Sequence, residues 1–323
     1  MKRDIEHLVL SSPNWLGDVV MAQPAMRSIV EAFEPAHVAL FGRPWLADLL
    51  PFLDIPGAVY ADAMPAGTDA AVLFPNSFRA AWLACRAGAK RRIGFRGQWR
   101  RLLLTDAPAP RISLRHQHHR DFYLDLAEKL GVDVRERQVR LTVPAGDVKA
   151  GEEMLRRQGL DPQRTVAVAP GAQFGGAKRY PAESYAAILK WLADRDWQIM
   201  VLGTQVERDI GDQCLAPVAG QAWNAAGETS LGQGLQLLCA SRMLLCNDSG
   251  LMHVAAGMGK PVVAIFGATD PARTAPSGAR VHLLYRPADC SPCLKRECAV
   301  HGHPCMGNVL PEDVRDACLE VLS

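Results

Sequence analysis

Arg242-Met243-Leu244-Leu245-Cys246-Asn247-Asp248-Ser249-Gly250-Leu251-Met252-His253-Val254-Ala255-Ala256-Gly257-Met258-Gly259 is the stretch that decides the fold. Residues 242–246 read as a buried parallel strand, because the run is apolar after its first residue. Residues 254–259 read as a short helix of small residues. Between them lies a turn of Asn, Asp, Ser and Gly. A strand-to-helix turn of this kind offers unpaired backbone N–H groups and a helix dipole to an anion. The expected ligand is a phosphate.

The same rhythm extends both ways along the chain. Upstream lie strand-like runs at Thr165–Ala169 and Gln198–Leu202, with helices at Ser184–Ala193 and Leu231–Ala240. Downstream comes a strand at Pro261–Phe266, then a final helix over Glu312–Leu322. The first half has strands at His7–Leu10, Val38–Phe41 and Ala70–Phe74. Its first helix runs from Asp18 to Phe33, with Val19, Ala22, Met26, Ile29 and Val30 at helical spacing. Such alternation predicts α/β architecture with doubly wound parallel sheets. The polar helical stretch Asp147–Gly159 separates the two series and puts the boundary near residue 160. The expectation is two Rossmann-like domains, 1–160 and 161–323, facing across a cleft. Ligands in such sheets bind beyond the carboxyl ends of the strands.

Length and composition agree with this reading. The chain has 323 residues, about half apolar and fewer than a quarter charged, with a net charge of +2. That suits a globular protein of about two domains and excludes a general polyanion binder. No run of about 18 apolar residues suggests a transmembrane helix. Met1–His7 carries acids where a signal peptide needs an apolar core. A cytoplasmic protein is expected, whose nine cysteines are thiols or metal ligands rather than disulfides.

Three loops fall at strand carboxyl ends: Ser11–Asp18, Pro170–Pro181 and Asn247–His253. They form neither a P-loop nor a G-x-G-x-x-G fingerprint, yet they supply glycines, hydroxyls, a lysine and helix starts. Taken singly, Asp18 reads equally as a helix N-terminal carboxylate, and Lys178 as a solvated surface lysine.

The residues Ser-Pro-Asn-Trp-Leu-Gly-Asp-Val-Val-Met (12–21), Pro-Asn-Ser-Phe-Arg (75–79), Lys-Arg-Tyr-Pro (178–181) and Asn-Asp-Ser-Gly-Leu-Met-His-Val-Ala-Ala (247–256) resemble the ADP-heptose:lipopolysaccharide heptosyltransferases of glycosyltransferase family 9. Gly-Ala-Thr-Asp-Pro (267–271) and the cysteine segment from Cys290 fit the same pattern. The resemblance runs from about residue 7 to 320. It implies a GT-B fold and inverting transfer of heptose from ADP-L-glycero-β-D-manno-heptose to the heptosylated Kdo2–lipid A inner core. ADP-heptose is then a co-substrate, and no cofactor is required.

By that resemblance Asp18 is the catalytic base, taking the proton as the acceptor oxygen attacks the anomeric carbon. Lys178 stabilises the charge that develops on the departing diphosphate, and Arg179 could share the role. Gly171, Lys178, Glu207, Thr229, Asp248, Ser249, Gly250 and His253 make up the donor side in the second domain. By resemblance Asp248 touches heptose hydroxyls or orders its loop; Glu207, just after the strand ending at Leu202, reads as a ribose acceptor or as an ordinary first-turn acid, and Thr229 as a candidate near the adenosine. Asn76, Ser77, Arg79 and Arg96 make up the acceptor side in the first domain. Residues 79–101 contain eight basic residues, with no acid between Asp69 and Asp106. Such a run is usually a solvated face. Here it would also recruit an acceptor carrying phosphates and carboxylates in an anionic leaflet, so the protein is expected at the inner membrane's cytoplasmic face. The near-neutral whole argues against nucleic acid.

Cys290, Cys293, Cys298 and Cys305 follow a C-x2-C-x4-C-x6-C spacing with His301 and His303 inside it. Structural zinc, free thiols and a disulfide all remain open. The segment is expected to lie away from the strand-end loops. Transfer at another core position, a GT-B nucleotide-sugar epimerase and a non-catalytic sugar-nucleotide-binding protein are the competing functions.

Overall fold

The computed structural model describes residues 5–114, 117–218, 220 and 222–322. The chain forms two compact units, Met1–Thr142 and Val143–Ser323. In the first, β1 (His7–Ser11), β2 (His37–Phe41), β3 (Ala58–Ala61), β4 (Ala70–Leu73) and β5 (Arg91–Ile93) form one sheet. Its order is β3-β2-β1-β4-β5, with every pairing parallel. Helices α1 (Leu16–Phe33), α2 (Leu46–Leu49), α3 (Phe78–Arg86) and α4 (His119–Lys129) accompany it. All four residues of β4 are buried, as expected for a central parallel strand covered on both faces.

The second unit opens with α5 (Ala145–Arg157). Then come β6 (Thr165–Ala169), α6 (Ala182–Ala193), β7 (Gln198–Val201), α7 (Arg208–Leu215), β8 (Ala222–Asn224), α8 (Leu231–Ala240) and β9 (Met243–Asn247). It closes with α9 (Gly250–Gly257), β10 (Val262–Phe266), α10 (Pro271–Thr274), β11 (Val281–Tyr285), α11 (Pro304–Gly307) and α12 (Pro311–Leu322). The sheet order is β11-β10-β9-β6-β7-β8, again fully parallel. Both sheets reverse direction beside their first strand, between β1 and β4 and between β6 and β9. Those are the switch points at which such sheets bind ligands.

The boundary lies about a helix earlier than residue 160. Helix α5 belongs to the second unit because it packs directly on α8. A Cβ at Gly151 would stand 2.0 Å from the Gln236 carbonyl oxygen. The Gln236 amide also donates to Asp147 at 2.7 Å. Among the described residues no helix is long and apolar enough to cross a membrane.

Candidate active site

Asp18 is the third residue of α1, behind an N-cap, Trp15, that makes no side-chain cap. A first-turn carboxylate is favoured there by the helix dipole. Its Oδ1 lies 3.3 Å from Nδ1 of His119 on α4. Tyr123, one turn further along α4, has its phenol held protonated by burial first and by the Asp18 charge second. Sequence reading missed both partners, since they lie about a hundred residues away.

The loop after β4 holds Asn76 and Ser77, and both have structural tasks. Ser77 caps α3 by accepting from the Ala80 N–H at 3.2 Å. Asn76 Oδ1 accepts from the Arg100 guanidinium at 2.8 Å. Arg100 is fully buried. It also donates to the Phe95 carbonyl at 2.7 Å and to the Pro75 carbonyl. Burial without a carboxylate partner pushes its guanidinium down to about 10. Arg79 and Arg96 are exposed. The expected basic face is dissected. Lys90 pairs with Asp69 and Arg91 with Asp106, while Arg92 donates to the Leu103 and Ala89 carbonyls.

In the second unit, Asn247 ties the switch point together. It is fully buried at the end of β9, and its amide donates to the Pro170 and Gly171 carbonyls at 2.6 and 3.2 Å. Its oxygen accepts from Tyr185 Oη at 3.0 Å and from the Tyr180 N–H at 3.2 Å. The loops after β6 and β9 are thereby locked side by side. Next to this clasp, Lys178 Nζ stands 2.6 Å from Asp248 Oδ2, with side-chain exposures of 14% and 5%. Thr269 Oγ1 donates to the same oxygen at 2.5 Å. Asp248 is thus the counterion that orders Lys178, which accounts for an acid on this turn.

Ser249 is the N-cap of α9 but its side chain does not cap the helix. The Met252 N–H bonds back to the Ser249 carbonyl at 3.3 Å, so the N–H groups of Gly250 and Leu251 are the ones open to an anion. His253 is buried in the same helix. Glu207 meets Gly171: a Cβ at Gly171 would lie 2.1 Å from Glu207 Oε1. Its other oxygen accepts from the Thr204 N–H and hydroxyl, each at 2.8 Å, in a capping box. Thr229 stands half-buried before the Ser230 cap of α8. Among the described residues no hydrogen bond joins it to Lys178 or Asp248. The Arg179 Nε is buried with no partner among the described residues.

The cysteine segment does not lie away from these loops; it braces the Lys178 turn. The Ala177 N–H donates to the Arg296 carbonyl at 2.9 Å, and the Gly176 N–H to Glu297 Oε1 at 3.1 Å. His303 Nε2 lies 2.9 Å from the Ala177 carbonyl. Gly175 has φ +149, and a Cβ there would stand 2.2 Å from the Arg296 carbonyl oxygen. Lys178 and Arg296 both lie over the Phe174 ring, at 4.8 and 5.7 Å from its centre. The four thiols are free, from exposed Cys290 to buried Cys305. Among the described residues no three His, Cys, Asp or Glu side chains are gathered closely enough to hold a metal ion.

Comparisons with known proteins bear on the family and the fold. Lipopolysaccharide heptosyltransferase 2 of Escherichia coli (strain K12) is 29% identical over 342 residues, covering 95% of this chain and 96% of that protein. The solved structure of E. coli ADP-heptose lipopolysaccharide heptosyltransferase II matches with a TM-score of 0.81 at 26% identity, covering 98% of each chain. A glycosyl transferase family 9 structure from Veillonella parvula has the same fold, with a TM-score of 0.83 at 19% identity over 100% of this chain and 98% of that one. The model of glycosyltransferase family 9 (heptosyltransferase) matches residues 65–303. The chain therefore belongs to glycosyltransferase family 9, and it is a glycosyltransferase with two Rossmann-like α/β domains.

Proposed function

We propose that the enzyme moves L-glycero-D-manno-heptose from ADP-heptose to the heptosylated Kdo2–lipid A inner core, by single displacement with inversion. The observation that carries this reading is the buried Lys178–Asp248–Thr269 group beside the uncapped start of α9, at the switch point of the second sheet. It is an anion site with an oriented ammonium, suited to a diphosphate leaving group. Heptosyltransferases among the relatives support heptose as the transferred sugar. The second unit then binds the donor, with Glu207 and Gly171 as one wall. The first unit binds the acceptor, and the lipid portion of that acceptor places the protein at the cytoplasmic face of the inner membrane.

In the reaction the acceptor hydroxyl oxygen attacks the anomeric carbon and its proton passes to Asp18. The bond from that carbon to the diphosphate oxygen breaks, and its electron pair leaves with ADP. Lys178 and the α9 N–H groups stabilise the resulting charge. The test is radiolabelled heptose transfer from ADP-heptose to heptosylated Kdo2–lipid A by the wild type, Asp18→Ala and Lys178→Ala. Transfer by the wild type with collapse in both variants is expected. Near wild-type turnover in both variants overturns the mechanism, and no transfer by the wild type overturns the substrate assignment. A changed sugar nucleotide without acceptor would identify an epimerase instead.

A further inference from the structure

Residues 95–103 put apolar side chains into water at a structural cost. Trp99 is 88% exposed and Leu102 89% exposed. Gly97, Gln98 and Trp99 take φ values of +150, +45 and +61 in succession. A left-handed backbone is unfavourable for a bulky aromatic residue. The strain is held from below by Arg100, whose buried guanidinium is anchored to the Phe95 and Pro75 carbonyls and to Asn76. Burying an unpaired guanidinium is itself unfavourable. The fold thus sets a strained turn on a buried cation, and the visible result is Trp99 and Leu102 in solvent.

The short turn Arg100–Leu103 packs on α3. That helix exposes Phe78 and Trp82 one turn apart. Arg79, Arg86, Arg96 and Arg101 are exposed on the same two segments. No acid interrupts residues 70–105. Among the described residues none of these four arginines is in an ion pair. Aromatic and aliphatic tips rimmed by uncompensated arginines match an anionic lipid surface, where apolar side chains enter the headgroup layer and cations meet its charge. A nucleic acid would gain from the cations and the rings but not from Leu102.

We propose that α3 and the 96–102 turn form a docking surface for an anionic lipid bilayer, seated through Trp99 and Leu102. This gives the membrane location under Proposed function a physical surface, and it is tested without any turnover. Cosedimentation uses the full chain with vesicles of phosphatidylcholine alone and of phosphatidylcholine with phosphatidylglycerol at 3:1. Binding to the anionic vesicles is expected, weakening as salt rises. Trp99→Asn/Leu102→Ser should lose about tenfold in partitioning, the scale of one or two apolar side chains leaving an interface. Its melting temperature should hold or rise, since Asn tolerates the left-handed backbone. Arg101→Gln should lose about fivefold, with a flatter salt dependence. Equal binding by wild type and Trp99→Asn/Leu102→Ser overturns the proposal. So does absence of wild-type binding, or a wild type that self-associates through this face instead. Heptose transfer to a detergent-dispersed acceptor is read separately, so failure here leaves the catalytic assignment standing or falling by itself.

Discussion

Asp18 and Lys178 are held in opposite ways. Asp18 rides on the first turn of an 18-residue helix that follows directly from β1, so its place is set by neighbours within a dozen residues. Its long-range partners, His119 and Tyr123, add orientation. Lys178 sits on a single turn, Gly176–Lys178, inside a glycine-rich loop. That turn is held by Asp248, Arg296, Glu297 and His303, all 70 or more residues away. A side chain on a regular element inherits its position from local chemistry. A side chain on a loop receives it from contacts that can be removed one by one.

The sharpest test of this difference sets activity against stability. Asp18→Asn is expected to lower kcat by about 10²- to 10⁴-fold, the range for a lost general base, with little change in melting temperature. Lys178→Ala is expected to lower kcat by about 10²- to 10³-fold. It should also destabilise by about 3 kcal/mol, because Asp248 is left buried and unpaired. Kinetics and thermal melts of the same preparations decide it. Equal melting temperatures for the two variants would break the comparison.

Gly175→Ala probes the brace. The added Cβ would meet backbone, which cannot swing aside as a side-chain tip can, in a conformation that side chains rarely adopt. The Lys178 turn must shift, and a displacement on the order of 1 Å can cost about 10²-fold in rate. We expect about a tenfold to hundredfold loss of kcat with donor and acceptor saturating. An unchanged kcat would mean that the 296–303 segment does not position the lysine.

The same local-versus-distant distinction explains what could be read from the chain. Every interior strand was legible: β1, β2 and β4 in one sheet, and β6, β7, β9 and β10 in the other. Each is an apolar run because both of its faces are covered. The four strands that escaped, β3, β5, β8 and β11, are the four sheet edges. They are short or half-exposed, and β5 begins with two arginines. At the site, Lys178 and Asp248 were legible as types of residue at strand ends. Their pairing was not, because it depends on two loops that Asn247 clasps together. The cysteine spacing left zinc, free thiols and a disulfide open and placed the segment away from the strand-end loops, whereas Arg296, Glu297 and His303, between the cysteines, contact the Lys178 turn. Gly175 and Gly176 were the available signal, since adjacent glycines mark a close backbone approach whose partner local sequence cannot name.

His119→Ala tests one of the two distant partners on the Asp18 side. If α1 does most of the positioning, losing one partly buried contact to a carboxylate should lower kcat by about tenfold. KM for the donor should not change, because His119 lies in the first unit. A loss as large as that of Asp18→Asn would place His119 on a par with Asp18 and erase the contrast between the helix-borne Asp18 and the loop-borne Lys178.

The smallest effect belongs to the opposite end of the first sheet. Asp69 precedes β4 and accepts the N–H groups of His7 at 2.9 Å and Glu6 at 3.1 Å. Lys90 is 2.9 Å away. The Lys90 hydrogen bond, then that from His7, lower its carboxyl from 3.8 to about 2. A carboxylate depressed by folding stabilises the native state above its unfolded value, and this contribution disappears as pH falls through the folded value. Wild type should therefore melt slightly above Asp69→Asn at neutral pH, and the gap should close between about pH 4 and pH 2. Heptose transfer at neutral pH should be unchanged, because the strand-entry end carries no part of the site. A gap that persists below pH 2 would mean that Asp69 acts through packing rather than through its charge.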